Sequence, residues 1–165
     1  MSTAPEGPTP GYLVWRLSTK WRVAVDRALA PLGLTHAQYT VIASLHGIRQ
    51  SGHRPSQRQL ADHTGLEPLY ISKLARALES SGLVRRTPDP ADTRAVQLSL
   101  TPAGEEKARR AVTEVHTLLD RLLDPLGGLE APRTRALTRE LRLLLETPLD
   151  APPDTYEDTS TPPEE

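Results

Sequence analysis

The chain has 165 residues, a formal net charge of −1 and no cysteine. Its length fits one domain, and the missing cysteine excludes disulfides, thiolate metal sites and cysteine-based peroxide sensing. No apolar run reaches the length of a membrane span, and Met1 to Pro10 is rich in Pro and Thr without a secretory pattern, so a cytoplasmic protein without a membrane partner is expected.

The near-neutral total hides a division along the chain. From Pro148 onward there are six acids (Asp150, Asp154, Glu157, Asp158, Glu164, Glu165) and no Lys or Arg, which leaves residues 1–147 at +5. A mildly basic folded part is compatible with a focused cationic patch for nucleic acid. Residues 148–165, with Pro152, Pro153, Pro162 and Pro163 among Thr and acids, carry no structural period and are expected to be disordered, as is the N-terminus over 1–10.

In chain order, Leu13, Leu17, Trp21, Ala24 and Ala28 form one helical stripe that Val14, Val25 and Leu29 widen. That is more apolar surface than one core needs, so a second burying partner is implied. Thr35-His36-Ala37-Gln38 reads as a capping box opening a central helix to about Gln50, with Tyr39, Ile42, Ala43 and Leu45 facing inward. Ser56-Gln57-Arg58-Gln59 is a second capping box. Its helix ends at Gly65, and Pro68 at a first helical position starts the next one after a very short turn. On that helix Ile71, Leu74, Ala75 and Leu78 recur at three- and four-residue steps, which turns Leu69, Tyr70, Ser72, Lys73 and Arg76 outward.

After Gly82 the period changes. Leu83-Val84-Arg85-Arg86 and the alternating Ala95-Val96-Gln97-Leu98-Ser99-Leu100 read as antiparallel strands. Between them Thr87 to Thr93 consists of turn formers, expected to project as an unpaired wing with Arg94 at its far base. Thr101 caps and Pro102 begins a long helix whose stripe runs Ala108, Ala111, Val112, Val115, Leu118, Leu119, Leu122 and Leu126, and a last helix carries Leu137, Leu141, Leu144 and Leu145. Each Leu fully buried is worth about 1.5 to 3 kcal/mol, so covering this set with a second copy is the favoured arrangement.

The order helix, turn, helix, hairpin predicts a winged helix-turn-helix, mainly α with a small β-hairpin wing. Its module spans about residues 54–100 of a domain over 11–147, and dimerisation helices occupy about 11–32 and 101–147. Such a fold places one helix in a major groove and the wing beside the adjacent backbone or minor groove, making double-stranded DNA the expected partner. The DNA-facing candidates are Ser56, Gln57, Pro68, Leu69, Tyr70, Ser72, Lys73, Arg76, Arg86 and Arg94, with Arg85 a weaker one. A winged-helix module that binds proteins instead of DNA stays open as the alternative, and Leu69 and Tyr70 lean that way.

Asp92-Thr93-Arg94-Ala95 followed by Leu98-Ser99-Leu100-Thr101-Pro102-Ala103-Gly104 resembles the wing-to-helix signature of the MarR family of bacterial transcriptional regulators. Leu34 to Ile42 is similar to that family's second helix, and Leu78-Glu79-Ser80-Ser81-Gly82-Leu83-Val84 to its recognition-helix exit, so the resemblance covers roughly Tyr12 to Glu146. It implies a homodimeric regulator whose DNA affinity responds to a small anionic or phenolic effector. One departure stands out: Leu69 and Tyr70 occupy early recognition-helix positions where many members carry Ser or Thr.

For such an effector, Trp15, Arg16, Trp21 and Tyr39 supply aromatic surface and one guanidinium, although packing accounts for the aromatics equally well. The histidines His36, His46, His53, His63 and His116 match no standard ligand spacing, so neither a metal nor another cofactor is expected. Phosphate-binding, dinucleotide, metalloprotease and serine-hydrolase motifs were sought without a match, and an enzyme is not expected.

Overall fold

The computed structural model of the chain describes residues 7–49, 52–92 and 94–149. Helix α1 (Pro10–Leu29) runs into a short 3₁₀ turn at Ala30–Leu32 and is followed by α2 (His36–Arg49), α3 (Gln57–Thr64) and α4 (Pro68–Ser80). The hairpin β1 (Val84–Pro88) and β2 (Val96–Leu100) leads to α5 (Pro102–Leu123), a second 3₁₀ turn at Asp124–Leu126, and α6 (Pro132–Glu146). Two compact units result, one through Leu122 and one from Leu123. None of the helices among the described residues is long and apolar enough to cross a membrane.

In the first unit, α2 is central, touching α1, α3, α4 and β2. Its capping box forms as expected, the Gln38 N–H donating to Thr35 Oγ1 and the Thr35 N–H to Gln38 Oε1. Val41, Ile42 and Leu45 are buried while Tyr39 and Ala43 are only half-buried, so the inward set differs from the expected stripe. A helix surrounded by four elements is covered on more than one side, which a single stripe does not represent. Helix α1 begins at Pro10, within the segment expected to be disordered, because Thr9 accepts from the Tyr12 N–H. Only its C-terminal half enters the core: Val25 and Leu29 are fully buried, whereas Leu13, Val14 and Leu17 stay about half exposed.

The wing strands extend further than the turn-former composition implied. Thr87 pairs with Gln97 and Pro88 with Val96, correcting the expectation of an unpaired loop from Thr87. Pro88 is tolerated because it ends the strand, where its missing N–H interrupts no ladder. Beyond it the Asp89 N–H donates to the Ala95 carbonyl at 3.0 Å. On its other edge β2 bridges the segment before α3, the Leu98 N–H donating to the Pro55 carbonyl, which ties the wing strand to the start of α3.

Helix α5 buries Gly104, Ala108, Ala111 and Val115, a row of small side chains that permits close approach. Its first turn is held to the exit of α4. Thr101 donates its N–H to the Leu83 carbonyl and its hydroxyl to the Gly82 carbonyl, and accepts from the Gly104 N–H. Glu105 in the first turn of α5 lies 2.9 Å from His46 Nδ1 and 2.7 Å from Arg49 Nη1, pinning the end of α2 to α5.

In the second unit, the Thr134 hydroxyl is buried and donates to the Gly128 carbonyl, fixing the start of α6 against the preceding turn. Leu137, Leu141, Leu144 and Leu145 remain exposed, the last at 85%. The expected acidic tail from Asp150 lies outside the described residues.

A Cβ on Gly104 would stand 1.9 Å from the Leu83 carbonyl oxygen, whereas one on Gly47 of α2 meets nothing within 4 Å. Denaturant melts should therefore separate two substitutions of one chemical kind. Gly104→Ala is expected to destabilise by about 1 to 3 kcal/mol through overpacking. Gly47→Ala should stabilise by about 0.5 to 1 kcal/mol through lower backbone entropy in a helix. Equal effects of the two would show that the α4–α5 junction tolerates a side chain.

Candidate nucleic-acid interface

The reading head is built by local rules. The Ser56 side chain accepts from the Gln59 N–H and Gln59 Oε1 accepts from the Ser56 N–H at 2.8 Å, the reciprocal cap that starts α3. Gly65, at φ +70°, reverses the chain after α3. Three residues later Pro68 opens α4. Ile71, Leu74, Ala75 and Leu78 are buried as expected, and this locks the rotation of α4 about its axis. Leu69 is consequently 87% and Tyr70 42% exposed, Lys73 and Arg76 face solvent, and Ser72 is half-buried. Among the described residues neither Lys73 nor Arg76 makes an ion pair.

Past α4, Gly82 at φ +72° allows the Leu83 N–H to reach back to the Leu78 carbonyl, closing the helix with a Schellman-type bond. Strand alternation then sends Arg85 and Arg86 to opposite faces. Arg85 is exposed. Arg86 turns back to α4, donating from its N–H to Glu79 Oε1 and from its guanidinium to Glu79 Oε2, both at 3.3 Å.

The wing turn is stapled by its own aspartates, with the Ala91 N–H donating to Asp89 Oδ1 and the Arg94 N–H to Asp92 Oδ1. The Ala91 bond is the first cause holding the Asp89 carboxyl below its ordinary range, and the Gln97 side chain adds to it. Asp92 thus engages the backbone of Arg94, and among the described residues the exposed Arg94 guanidinium has no ion pair.

Ser56, Gln57, Pro68 and Arg94 come together around one open depression of about 530 Å³, although they derive from three elements. Leu69, Tyr70, Lys73 and Arg76 do not line it but continue along α4 from Pro68. Arg58 also borders the depression, a cation the sequence reading passed over. Its position one residue after Gln57 in the first turn of α3 was the available signal.

The effector candidates separate into two groups. Trp15 and Arg16 are exposed on α1, where Tyr12 and Trp15 stand 6.0 Å apart and the Arg16 guanidinium lies 5.9 Å over the Tyr12 ring. Trp21 and Tyr39 are half-buried against the core, and burial raises the Tyr39 phenol above its ordinary pKa. A separate cleft of about 640 Å³, absent from the sequence reading, lies among the end of α2, the strands and the start of α5. Arg49, Arg54, Arg85 and Arg109 line it over Leu45, Leu98 and Leu100, and none of the four effector candidates does. It brings together residues from 45 to 109, which no local pattern announces. The histidines gather no metal site among the described residues, where no group of three or more His, Asp or Glu side chains is placed to hold an ion.

The MarR family profile matches residues 34–96, the segment from before α2 to the start of β2. The HTH-type transcriptional regulator YdcH of Bacillus subtilis is 34% identical over 110 residues, covering 67% of this chain and 75% of that protein. The HTH-type transcriptional repressor Rv2887 of Mycobacterium tuberculosis is 31% identical over 144 residues, covering 87% of this chain and 98% of that protein. A crystal structure of Rv2887, described as a MarR family protein in complex with salicylic acid, superposes with a TM-score of 0.61 at 30% identity, over 84% of this chain and 98% of that one. The Staphylococcus aureus MepR–DNA complex shares the fold, with a TM-score of 0.74 at 22% identity over 84% of this chain and 98% of that one. Profile, near full-length relatives and fold agree with the capped helices, hairpin and Thr101–Gly104 junction, and the chain belongs to the MarR family of winged helix-turn-helix transcriptional regulators, DNA-binding proteins rather than enzymes.

Proposed function

We propose that two copies of this chain form a cytoplasmic repressor on a pseudo-palindromic operator. In each copy α4 enters a major groove while the wing lies on the neighbouring backbone or minor groove. The observation that carries this reading is the exposed cationic set without ion pairs among the described residues, Lys73 and Arg76 on α4 and Arg94 at the wing base, on a scaffold whose rotation the buried stripe of α4 fixes. Exposed cations on a recognition helix and wing suit a polyanion, and the matched relatives are transcriptional regulators.

Dimerisation is supported by apolar surface that one copy leaves wet: Leu13, Val14 and Leu17 on α1, and Leu141, Leu144 and Leu145 on α6. The effector class we take to be a small carboxylate or phenolate, the chemistry of the salicylic acid bound by the mycobacterial relative. Trp15 and Arg16 lie on exposed surface, whereas Trp21 and Tyr39 pack against the core.

Sedimentation at micromolar concentration is expected to return twice the 18.1 kDa of one chain, and the pair Leu13→Glu with Leu17→Glu to lower it towards one. A folded wild-type monomer under those conditions would remove the twofold reading. On DNA the two kinds of cation should separate in a panel of single-base operator variants at fixed salt. Arg94→Ala, which removes backbone or minor-groove attraction, should weaken every variant by about tenfold, roughly 1.4 kcal/mol. It should also reduce the salt slope by about 1. Arg76→Ala should instead reorder the variants by about 1 to 3 kcal/mol at the base it reads. Unchanged affinity of Arg94→Ala across the panel would refute the placement of the wing.

A further inference from the structure

Leu69 is 87% exposed at the second position of α4, beside Tyr70 at 42%, in a helix that buries its other large apolar residues. The exposure is not a failure of packing, because Ile71, Leu74 and Leu78 leave no rotation of α4 that would bury Leu69 as well. Lys73 and Arg76 follow Leu69 at four and seven residues, in line on the same helix face. Arg58 and Arg94, together with Asp62 and Asp92, border the depression that Pro68 also lines. An apolar tip followed by two exposed cations along one helix face fits a polyanion that carries an apolar group, and that combination differs from an ordinary apolar protein surface.

Given the reading of α4 as the major-groove helix, on which this inference rests, the first turn is the part that reaches base edges. Leucine has no donor or acceptor and cannot read a hydrogen-bond pattern. Set against a polar base edge it would strip water from that edge and return nothing. Of the groups displayed in the major groove, the C5-methyl of thymine is the one bulky apolar group. We propose that Leu69, its apolar surface broadened by Tyr70, contacts a thymine methyl in each half-site, so that A·T is specified at that position through burial of the methyl and not through a hydrogen bond.

The test uses the full chain and an operator recovered by selection from random duplexes, in which each thymine of one half-site is replaced in turn by deoxyuridine. That exchange deletes the C5-methyl and leaves every Watson–Crick and major-groove hydrogen-bonding group in place. One thymine is expected to stand out, its replacement weakening wild-type binding about fourfold, the worth of one buried methyl. In Leu69→Ala, whose exposed site should leave the melting temperature unchanged, the same replacement should have no effect. A deoxyuridine penalty that is the same in Leu69→Ala would reflect DNA shape and overturn the contact, as would the absence of any penalised thymine in the wild type. If the wild type selects no operator, the DNA reading beneath the inference falls first, and that outcome is separable from the other two.

Discussion

Everything the reading head does depends on a hydrogen-bonded clasp between the exit of α4 and the entry of α5. The Leu83 carbonyl accepts the Thr101 N–H at 3.0 Å, the Gly82 carbonyl accepts the Thr101 hydroxyl at 2.6 Å, and the same hydroxyl oxygen takes the Gly104 N–H. One threonine thus satisfies an orphan donor at a helix start and two carbonyls just past the end of α4. The closeness of this arrangement leaves room for hydrogen alone at position 104. The wing hairpin, which lies between Leu83 and Thr101 in the chain, inherits its base from the clasp. A loosened junction would leave α4 and β1 intact as elements yet change the direction of the wing from them.

Charge placement explains how a chain with a formal charge of −1 serves a polyanionic partner. Several cations near the reading head are spent on structure: Arg86 on Glu79, Arg49 on Glu105, and further along α5 Arg109 on Glu106. Lys73, Arg76 and Arg94 are outside these pairs. Exposed charges of one sign over a low-dielectric surface focus a local field that the total charge does not reveal. The wing aspartates Asp89 and Asp92 accept from backbone N–H groups and so shape the turn that holds Arg94.

What local chemistry dictates was legible in the sequence. Both capping boxes, Pro68 and Pro102 at helix starts, Gly65 as a stop, and the buried set of α4 occur where caps and periodicity placed them. What the local pattern does not show depends on packing and pairing between elements. Val41 is buried because four elements surround α2, Thr87 and Pro88 join a strand because Gln97 and Val96 stand opposite, and Arg86 folds back because Glu79 lies across from it. The arginine-lined cleft follows the same logic, its walls being assembled from segments sixty residues apart. Family resemblance added what spacing alone could not, the meaning of the Thr101–Gly104 signature, and the clasp gives its physical reason.

If two copies of this reading head engage DNA with twofold symmetry, selection from a random duplex library with the full-length protein will show it. Dimeric helix-turn-helix proteins place their recognition helices one helical turn apart, so enrichment of an inverted repeat with half-site centres about 10 bp apart is expected. The enriched sites should lose affinity steeply as salt is raised, because several phosphates are neutralised in each half. Enrichment of an asymmetric single site, or of no sequence at all, would contradict twofold engagement.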